Sequence, residues 1–114
     1  MAYNETLADR IREALEQLPK LEEKKMFSGL AFMVDDKMCI NVRGDGIMCR
    51  IDPAIHEILV EKNGCETMRM KNREYIGYVL ISEDVLKTKK QLDYWIGLAL
   101  DFNKRAKASP RKKK

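Results

Sequence analysis

The sequence predicts an α+β fold in which helices pack on one face of an antiparallel sheet, giving two layers. Three observations support this prediction. Apolar residues recur at helical spacing near both ends of the chain, short apolar runs separated by turn residues fill the middle, and the pattern contains no internal repeat. The predicted order of elements is α-β-β-β-α-β-β-α. At 114 residues, the chain has the length of a single domain.

The first predicted helix covers residues 4–18 and begins with Asn4, whose side chain can cap the first turn. Pro19 follows its last turn. The apolar stripe of this helix consists of Leu7, Ile11, Ala14, Leu15 and Leu18. Residues 20–25 are mostly charged, and we interpret them as a connector between the helix and the sheet.

Three apolar runs at 30–34, 37–42 and 47–51 predict a meander of three strands. They are separated by residues 35–36 and 43–46, whose aspartates and glycines are typical of turns. The first of these turns fits a two-residue or a three-residue hairpin. The two alternatives place the first strand on opposite faces of the sheet, and the sequence leaves both open.

Side-chain alternation sorts the second and third strands between the two faces of the sheet. We expect Val42 opposite Ile47 and Ile40 opposite Cys49. One face would then hold Met38, Ile40, Val42, Ile47, Cys49 and Ile51. The other face would hold Cys39, Asn41, Met48 and Arg50. Cys39 and Cys49 would therefore point to opposite sides.

Asp52-Pro53 predicts the start of a short second helix, and Asn63-Gly64 predicts its end. Two runs at 67–70 and 75–81 then predict a hairpin. The second run is apolar on both faces, so we place it centrally in the sheet. A capping-box pattern at 88–91 begins the last helix. Its buried face consists of Leu92, Trp95, Ile96, Ala99, Phe102 and Ala106.

Charge is distributed unevenly along the chain. The sequence holds 22 Lys and Arg and 18 Asp and Glu, a formal net charge of +4. Residues 104–114 contain seven basic residues and no acid, so we assign 1–103 to a folded domain and 104–114 to a disordered basic tail. The folded part then has 15 basic and 18 acidic residues, a net charge of −3. The tail charges are Lys104, Arg105, Lys107, Arg111, Lys112, Lys113 and Lys114.

This tail has two interpretations. As a disordered arm, it would bind nucleic acid weakly and without sequence preference, because phosphates that it neutralises release their counterions. As a solubility segment, it would bind no specific partner. The tail has no aromatic residues that could stack on bases, and the sequence leaves both interpretations open.

Several classes of protein do not fit the composition. No run approaches the roughly 18 apolar residues of a membrane span, and the chain starts with polar and acidic residues, so we expect a cytoplasmic protein with no membrane contact. The three cysteines have an odd count and no metal-ligand spacing. We therefore expect reduced, buried thiols, no disulfide, no metal site and no cofactor.

Residues with catalytic chemistry are sparse. The single histidine, His56, lies four residues after Asp52, but Asp52 is better used as a helix cap. No nucleophile is placed near this pair by the sequence. We expect His56 at the surface or beside the cap, and we expect no catalytic residue.

Two surface features remain as candidate sites. Arg50, Arg69 and Arg73 could form an anion-binding patch on the sheet face away from the helices. The methionines could line an adaptable protein-binding face, although core packing is favoured for most of them. Met48 is the strongest candidate for exposure, because its predicted neighbours are polar.

The segment from residue 26 to 53 carries a recognisable series of residues. It contains Met26, Phe27, Ser28, Gly29, Phe32, Val34, Asp35, Asp36, Lys37, Met38, Arg50, Asp52 and Pro53, followed later by Tyr78, Trp95 and Phe102. Over roughly residues 20–103, the chain resembles the N-terminal domain of the TfoX/Sxy family. Its motif positions are Met26, Phe27, Gly29, Phe32, Lys37, Met38, Arg50, Tyr78 and Trp95. Ser28 and Asp36 stand where the family commonly has glycine, and we expect glycine-specific backbone geometry to be lost there.

The resemblance implies a two-layer α/β fold similar to that of the type III secretion chaperones. It also implies a non-enzymatic regulatory or interaction domain, similar to competence-regulating TfoX/Sxy proteins that act with a DNA-bound activator. We therefore expect protein partners and a monomer or homodimer. The alternative is a small ligand-binding protein or enzyme with a pocket between sheet and helices and an anion site near Arg50.

Overall fold

The computed structural model of the chain describes residues 3–26 and 29–106. Its helices are α1 (Glu5–Leu15), α2 (His56–Leu59) and α3 (Lys89–Asn103), with single 3-10 turns at Pro53–Ile55 and Glu83–Val85. Its strands are β1 (Leu21–Met26), β2 (Gly29–Val34), β3 (Lys37–Arg43), β4 (Gly46–Arg50), β5 (Cys65–Met70) and β6 (Arg73–Ser82). The predicted two-layer α+β fold is confirmed, with one more strand than expected.

All six strands form one antiparallel sheet in the order β1-β2-β3-β4-β6-β5. The first four strands follow one another as a meander. β6 then lies between β4 and β5, so the central position expected for the apolar run at 75–81 is confirmed. β1 and β5 are the two edge strands.

The additional strand is β1, which occupies the segment expected to be a connector. All six of its residues pair with β2, from Leu21 opposite Val34 to Met26 opposite Gly29. The prediction of a connector was wrong, because the four central residues of β1 are exposed and charged and gave no sign of a strand. An edge strand with charged side chains on both faces has no apolar alternation for sequence analysis to detect.

The hairpin turns follow the backbone preferences of their residues. Asp35 and Asp36 have φ of 57° and 67°, and Lys71 and Asn72 have φ of 53° and 67°. Two consecutive residues with positive φ are typical of the tight hairpin turn whose twist matches that of the strands. The two-residue alternative for the first turn is therefore correct. Asp36 also keeps the positive φ that glycine adopts readily, so the expected loss of this geometry does not occur.

A β-bulge at Cys39 changes the predicted sorting of β3. The expected pairs of Val42 with Ile47 and of Ile40 with Cys49 are present. On the other side of β3, however, Ile40 pairs with Phe32 and Met38 with Met33, which leaves Cys39 as an extra residue. Met38 consequently lies on the face away from the helices. Cys39 joins the core on the helix side, contrary to prediction.

The main core lies between the sheet and the helices. α1 contributes Leu7, Ile11 and Leu15 to it, and α3 contributes residues including Trp95 and Ile96. The predicted caps are present: the Asn4 side chain accepts from the backbone of α1, and α3 begins with a complete capping box. Among the helices of residues 3–26 and 29–106, none has the length and hydropathy needed to cross a bilayer.

Candidate interaction surface

The sheet face away from the helices carries a second apolar cluster, which we call the methionine face. Its floor consists of Ala31, Met38, Met48 and Met68, all buried. Its partly buried rim consists of Met26, Met33, Tyr75, Tyr78 and Leu80. Met48 is only 2% exposed, so the expectation that it would be the exposed methionine is wrong. Among the methionines whose side chains the structure describes, the partly exposed ones are Met26 and Met33 of the rim.

Among the described residues, this cluster contains side chains of strands only, so the sheet's own side chains cover the floor. Arg43 on β3 donates from Nη1 to the sulfur of Met68 on β5, at 3.6 Å. In a flat sheet, these strands would lie about 14 Å apart, which is three spacings of about 4.8 Å. An extended arginine and a methionine together reach nearly this far, so the two side chains meet across β4 and β6. The floor of the methionine face is buried and its rim is partly exposed.

The start of β2 lies in close contact with β3. A Cβ atom at Gly29 would overlap the carbonyl oxygen of Val42 and lie 2.5 Å from Oδ1 of Asn41. Asn41 is fully buried, and its Nδ2 donates to the carbonyl of Met26 at 3.0 Å. Its Oδ1 has no hydrogen-bond partner among the described residues. Asn41 therefore fixes the end of β1 against β3 and leaves an acceptor next to the floor.

Arg50 lies at one end of the methionine face in a stack of cations and aromatic rings. Its guanidinium carbon is 5.7 Å from the ring centre of Tyr78 and 5.8 Å from that of Phe102. Arg105 approaches the same Phe102 ring at 5.4 Å. Arg105 also bonds to Asp52 at 2.8 Å and to Asp101 at 3.0 Å. The stack links the end of β4 to β6 and to the end of α3.

The other two arginines of the predicted anion patch lie on the β5–β6 hairpin. Arg69 pairs with Glu74 at 2.9 Å, and both side chains are more than half exposed. Arg73 is exposed and stands opposite Met70 beside the hairpin turn. Glu74 thus already balances the charge of Arg69. The three-arginine anion site stays a prediction.

His56 is a buried structural residue. It is 1% exposed, contrary to the prediction of a surface or cap-side position. The backbone N–H of Gly77 donates to Nδ1 of His56 at 2.9 Å, and Nε2 lies 2.9 Å from Oγ1 of Thr67. Because Nδ1 accepts, the ring is neutral and its Nε2–H donates to the Thr67 hydroxyl. Both ring nitrogens are thereby occupied in joining α2 to β5 and β6.

The backbone that His56 supports is irregular. Gly77 has φ of +97°, and a Cβ there would lie 3.3 Å from Cγ of Pro53. Pairing of β5 with β6 jumps from Thr67 opposite Val79 to Met68 opposite Tyr75. A glycine inside an apolar strand is a sequence signal for such a bulge, and it could have located this one in advance. The buried histidine itself had no sequence signature.

The three cysteines are free and buried, as predicted. Burial raises the pKa of Cys39 to about 12 and that of Cys65 to about 11. Burial likewise raises the pKa of Cys49 well above its ordinary value. Thiols with such pKa values carry almost no thiolate near neutral pH. Among the described residues, no group of His, Cys, Asp and Glu could hold a metal ion.

Lys37, one of the family-motif residues, connects the turn between β2 and β3 to the end of α3. Its side chain is 12% exposed, and its Nζ donates to the carbonyl of Asn103 at 2.7 Å. The Asn103 side chain donates back to the carbonyl of Val34 at 3.3 Å. An ammonium group at a helix C-terminus is electrostatically favourable. We call these two bonds the turn–helix clasp.

The remaining motif residues are mostly structural. Phe32 and Trp95 lie in the main core, at 0% and 4% exposure. Phe27 lies outside the described residues, as do tail residues 107–114. Of the other two tail residues with charge, Lys104 is exposed and Arg105 is held by Asp52 and Asp101.

An open groove of about 780 Å³ lies between the end of α1 and the second half of α3. Its lining includes Leu18, Val34 and Leu100. The alternative function requires such a pocket together with an anion site at Arg50. Within the described residues, Arg50 does not line this groove.

Comparison with protein families matches residues 13–103, which is most of the chain, to the TfoX N-terminal domain. Comparison with curated proteins and with solved structures finds no match. The matched range extends from the last turn of α1 to the last residue of α3 and thus includes the whole sheet. The chain belongs to the TfoX N-terminal domain family.

Proposed function

We propose that this chain is a non-enzymatic regulatory domain that binds a protein partner through its methionine face. The observation that carries the proposal is the partly exposed apolar rim around a buried floor, on the side of the sheet that no described helix covers. Methionine side chains are flexible and polarisable, so they adapt to different partner surfaces. Family membership supports a regulatory or interaction role, because the TfoX N-terminal domain is not known as an enzyme family.

The composition of the face indicates the chemistry of the partner. Tyr75, Tyr78 and Arg50 lie at the rim or the end of the face, and tyrosine and arginine are frequent binding hot spots. Arg43 and Arg50 add positive charge beside the apolar floor. The complementary partner is a polypeptide segment with apolar side chains flanked by acidic residues.

The histidine and the three cysteines are engaged in structure, which supports a non-enzymatic role. Both nitrogens of His56 are hydrogen-bonded inside the fold. The three thiols are buried and protonated. These structural roles favour a binding function over the alternative of a small enzyme.

The test compares proteins that co-purify with tagged variants from cells of the source organism. Met33→Glu puts a charge on the rim of the methionine face. Ile58→Glu puts the same charge on α2, where the native side chain is 66% exposed, and serves as the matched control. We expect proteins retained by the native chain and by Ile58→Glu to be lost from Met33→Glu. Equal retention, or equal loss in both variants, would contradict the proposal.

Weak nucleic-acid binding through the basic tail is a separate proposal. Arg105 is bound to the folded body and Ala106 is 9% exposed, so an informative truncation ends after Ala106. This truncation removes five of the seven tail charges. Fluorescence anisotropy with duplex DNA at about 50 and 200 mM salt should show binding that weakens with salt and disappears on truncation. Binding that survives truncation would assign it to the folded body instead.

A further inference from the structure

The charges on edge strand β1 are arranged so that two antiparallel copies complement each other. Its sequence is Leu-Glu-Glu-Lys-Lys-Met, and residues 22–25 are exposed. Its two acidic residues precede its two basic residues, so a second, antiparallel copy can place an acid of one strand opposite a base of the other. Opposite charges on facing strands stabilise pairing, and like charges oppose it.

The free hydrogen-bonding groups of β1 restrict which residues can face each other. The N–H of Asp35 donates to the carbonyl of Lys20 at 3.0 Å, so these two residues form a hydrogen-bonded pair. Backbone groups alternate in direction along a strand. The N–H and C=O groups of Leu21, Glu23 and Lys25 therefore point away from β2, toward the free edge. A second copy must place these same residues opposite them.

We propose that two copies of this chain associate by antiparallel pairing of their β1 strands about a two-fold axis at Glu23. The sheet then continues from one copy into the other through about six backbone hydrogen bonds. Glu22 of each copy faces Lys24 of the other at positions that are not hydrogen-bonded, where facing side chains are closest.

The two Glu23 side chains at this axis already carry counter-charges. Arg12 donates to Oε2 of Glu23 at 2.6 Å and to Oε1 at 2.9 Å. These bonds hold the pKa of Glu23 below its usual value, so the carboxylate is ionised and paired within each copy. Lys25 of the second copy also lies diagonally opposite Glu23. The axis is therefore not a site of uncompensated negative charge.

Other arrangements are less favourable. A two-fold axis at Glu22 would place Lys20 opposite Lys24 and the two Glu22 side chains opposite each other. An axis at Lys24 would place Glu23 opposite Lys25, but it would bring the two Lys24 side chains together at a closely spaced position and leave only the Glu23–Lys25 pairs hydrogen-bonded within the strand. In-register parallel pairing would place every charge opposite its own sign. Charged residues often protect a sheet edge from association. An edge whose charges all have the same sign repels a second copy in every register, whereas β1 carries charges of both signs. Of these arrangements, the antiparallel one centred on Glu23 is favoured because its central like-charge pair already has counter-charges from Arg12.

The interface is one strand long and small, so its affinity is low. We expect sedimentation velocity to detect the dimer at chain concentrations on the order of 0.1 to 1 mM, with dissociation favoured by salt because the charge pairs are exposed. This association does not depend on the partner proposed for the methionine face.

The test uses two charge-reversed variants of the full chain. Glu22→Lys places lysine opposite lysine, and Lys24→Glu places acid opposite acid, so each variant alone should be monomeric. In an equimolar mixture of the two variants, each mixed pair of chains again has opposite charges at both facing positions, so the dimer should return. The double variant Glu22→Lys/Lys24→Glu should also dimerise.

A native chain that stays monomeric over this range overturns the proposal, and the β1 charges then act only as an edge guard. Single variants that dimerise like the native chain overturn it as well. A mixture that stays monomeric while the native chain dimerises assigns the dimer to another surface and refutes this register. Both substituted side chains are exposed, so thermal unfolding should match that of the native chain and confirm that folding is unaffected.

Discussion

Replacement of His56 by alanine tests whether the buried imidazole stabilises the irregular part of β6. The substitution leaves the Gly77 N–H without its acceptor, and an unpaired buried donor costs about 1–3 kcal/mol. Loss of a ring that is 1% exposed also leaves a cavity, which adds about 1–2 kcal/mol. We expect the free energy of unfolding to fall by about 3 kcal/mol, a large part of the roughly 5–15 kcal/mol of a typical domain.

Two matched variants separate the contributions of the ring nitrogens. The amide of His56→Asn retains an acceptor near the position of Nδ1 but loses the contact with Thr67, so this variant should cost only about 1.5 kcal/mol. Thr67→Ala removes the same contact from the other side and should cost about 1 kcal/mol. The double variant His56→Asn/Thr67→Ala should then be less destabilised than the sum of the two single effects.

Urea unfolding followed by tryptophan fluorescence is a direct assay, because the single tryptophan, Trp95, is 4% exposed and reports on the main core. The reasoning is refuted if His56→Ala loses less than about 1 kcal/mol, the lower bound for an unpaired buried donor. It is also refuted if His56→Asn is destabilised as much as His56→Ala. Nitrogen NMR should independently show the neutral ring with its proton on Nε2.

Three further predictions follow from the backbone, the thiols and the ion pairs. Gly77→Ala should destabilise by about 1–2 kcal/mol because φ is +97°, whereas Gly97→Ala on α3, where a Cβ meets nothing within 4 Å, should stabilise by about 0.5–1 kcal/mol. Equal effects of the two substitutions in urea unfolding would contradict this assignment. The three thiols should react with a thiol reagent near pH ~8 only as the protein unfolds, since burial raises their pKa, and rapid labelling of the native chain would show that they are accessible. Arg105 lowers the pKa of Asp52, so the pair contributes to stability above the unfolded pKa of this carboxyl and loses that contribution as pH falls through the folded pKa. Arg105→Ala should raise the Asp52 pKa in an NMR titration, and an unchanged titration would mean that the ion pair is absent in solution.

Local signals in the sequence were sufficient to predict much of the fold. The Asn4 cap, the capping box at the start of α3 and the facing of Ile40 with Cys49 all depend on residues close together in sequence, and each is present. The family motif also identified the TfoX N-terminal domain, which the comparison confirms.

The features that sequence analysis missed depend on long-range structure. β1 is recognisable only beside its partner β2, because its exposed charges lack strand periodicity. The bulge at Cys39 shifts the alternation by one residue without a glycine or proline to mark it. His56 is buried by the approach of α2 to β6, and its acceptor role depends on Gly77, which lies 21 positions away. The methionine face likewise combines side chains from strands that are far apart in the sequence.

The turn–helix clasp has a consequence for the order of events during synthesis on the ribosome. Lys37 and Val34 bond to a residue that is 66 and 69 positions further along the chain. The first hairpins emerge long before α3 can cover their apolar inner side, and domains of this type complete folding only when such distant contacts form. The inner face of β2 to β4 is therefore not covered by α3 until that helix has left the exit tunnel. Ribosome-stalled chains that hold α3 inside the tunnel should be bound by chaperones, and stalled chains extended by a linker that brings Asn103 out of the tunnel should be released.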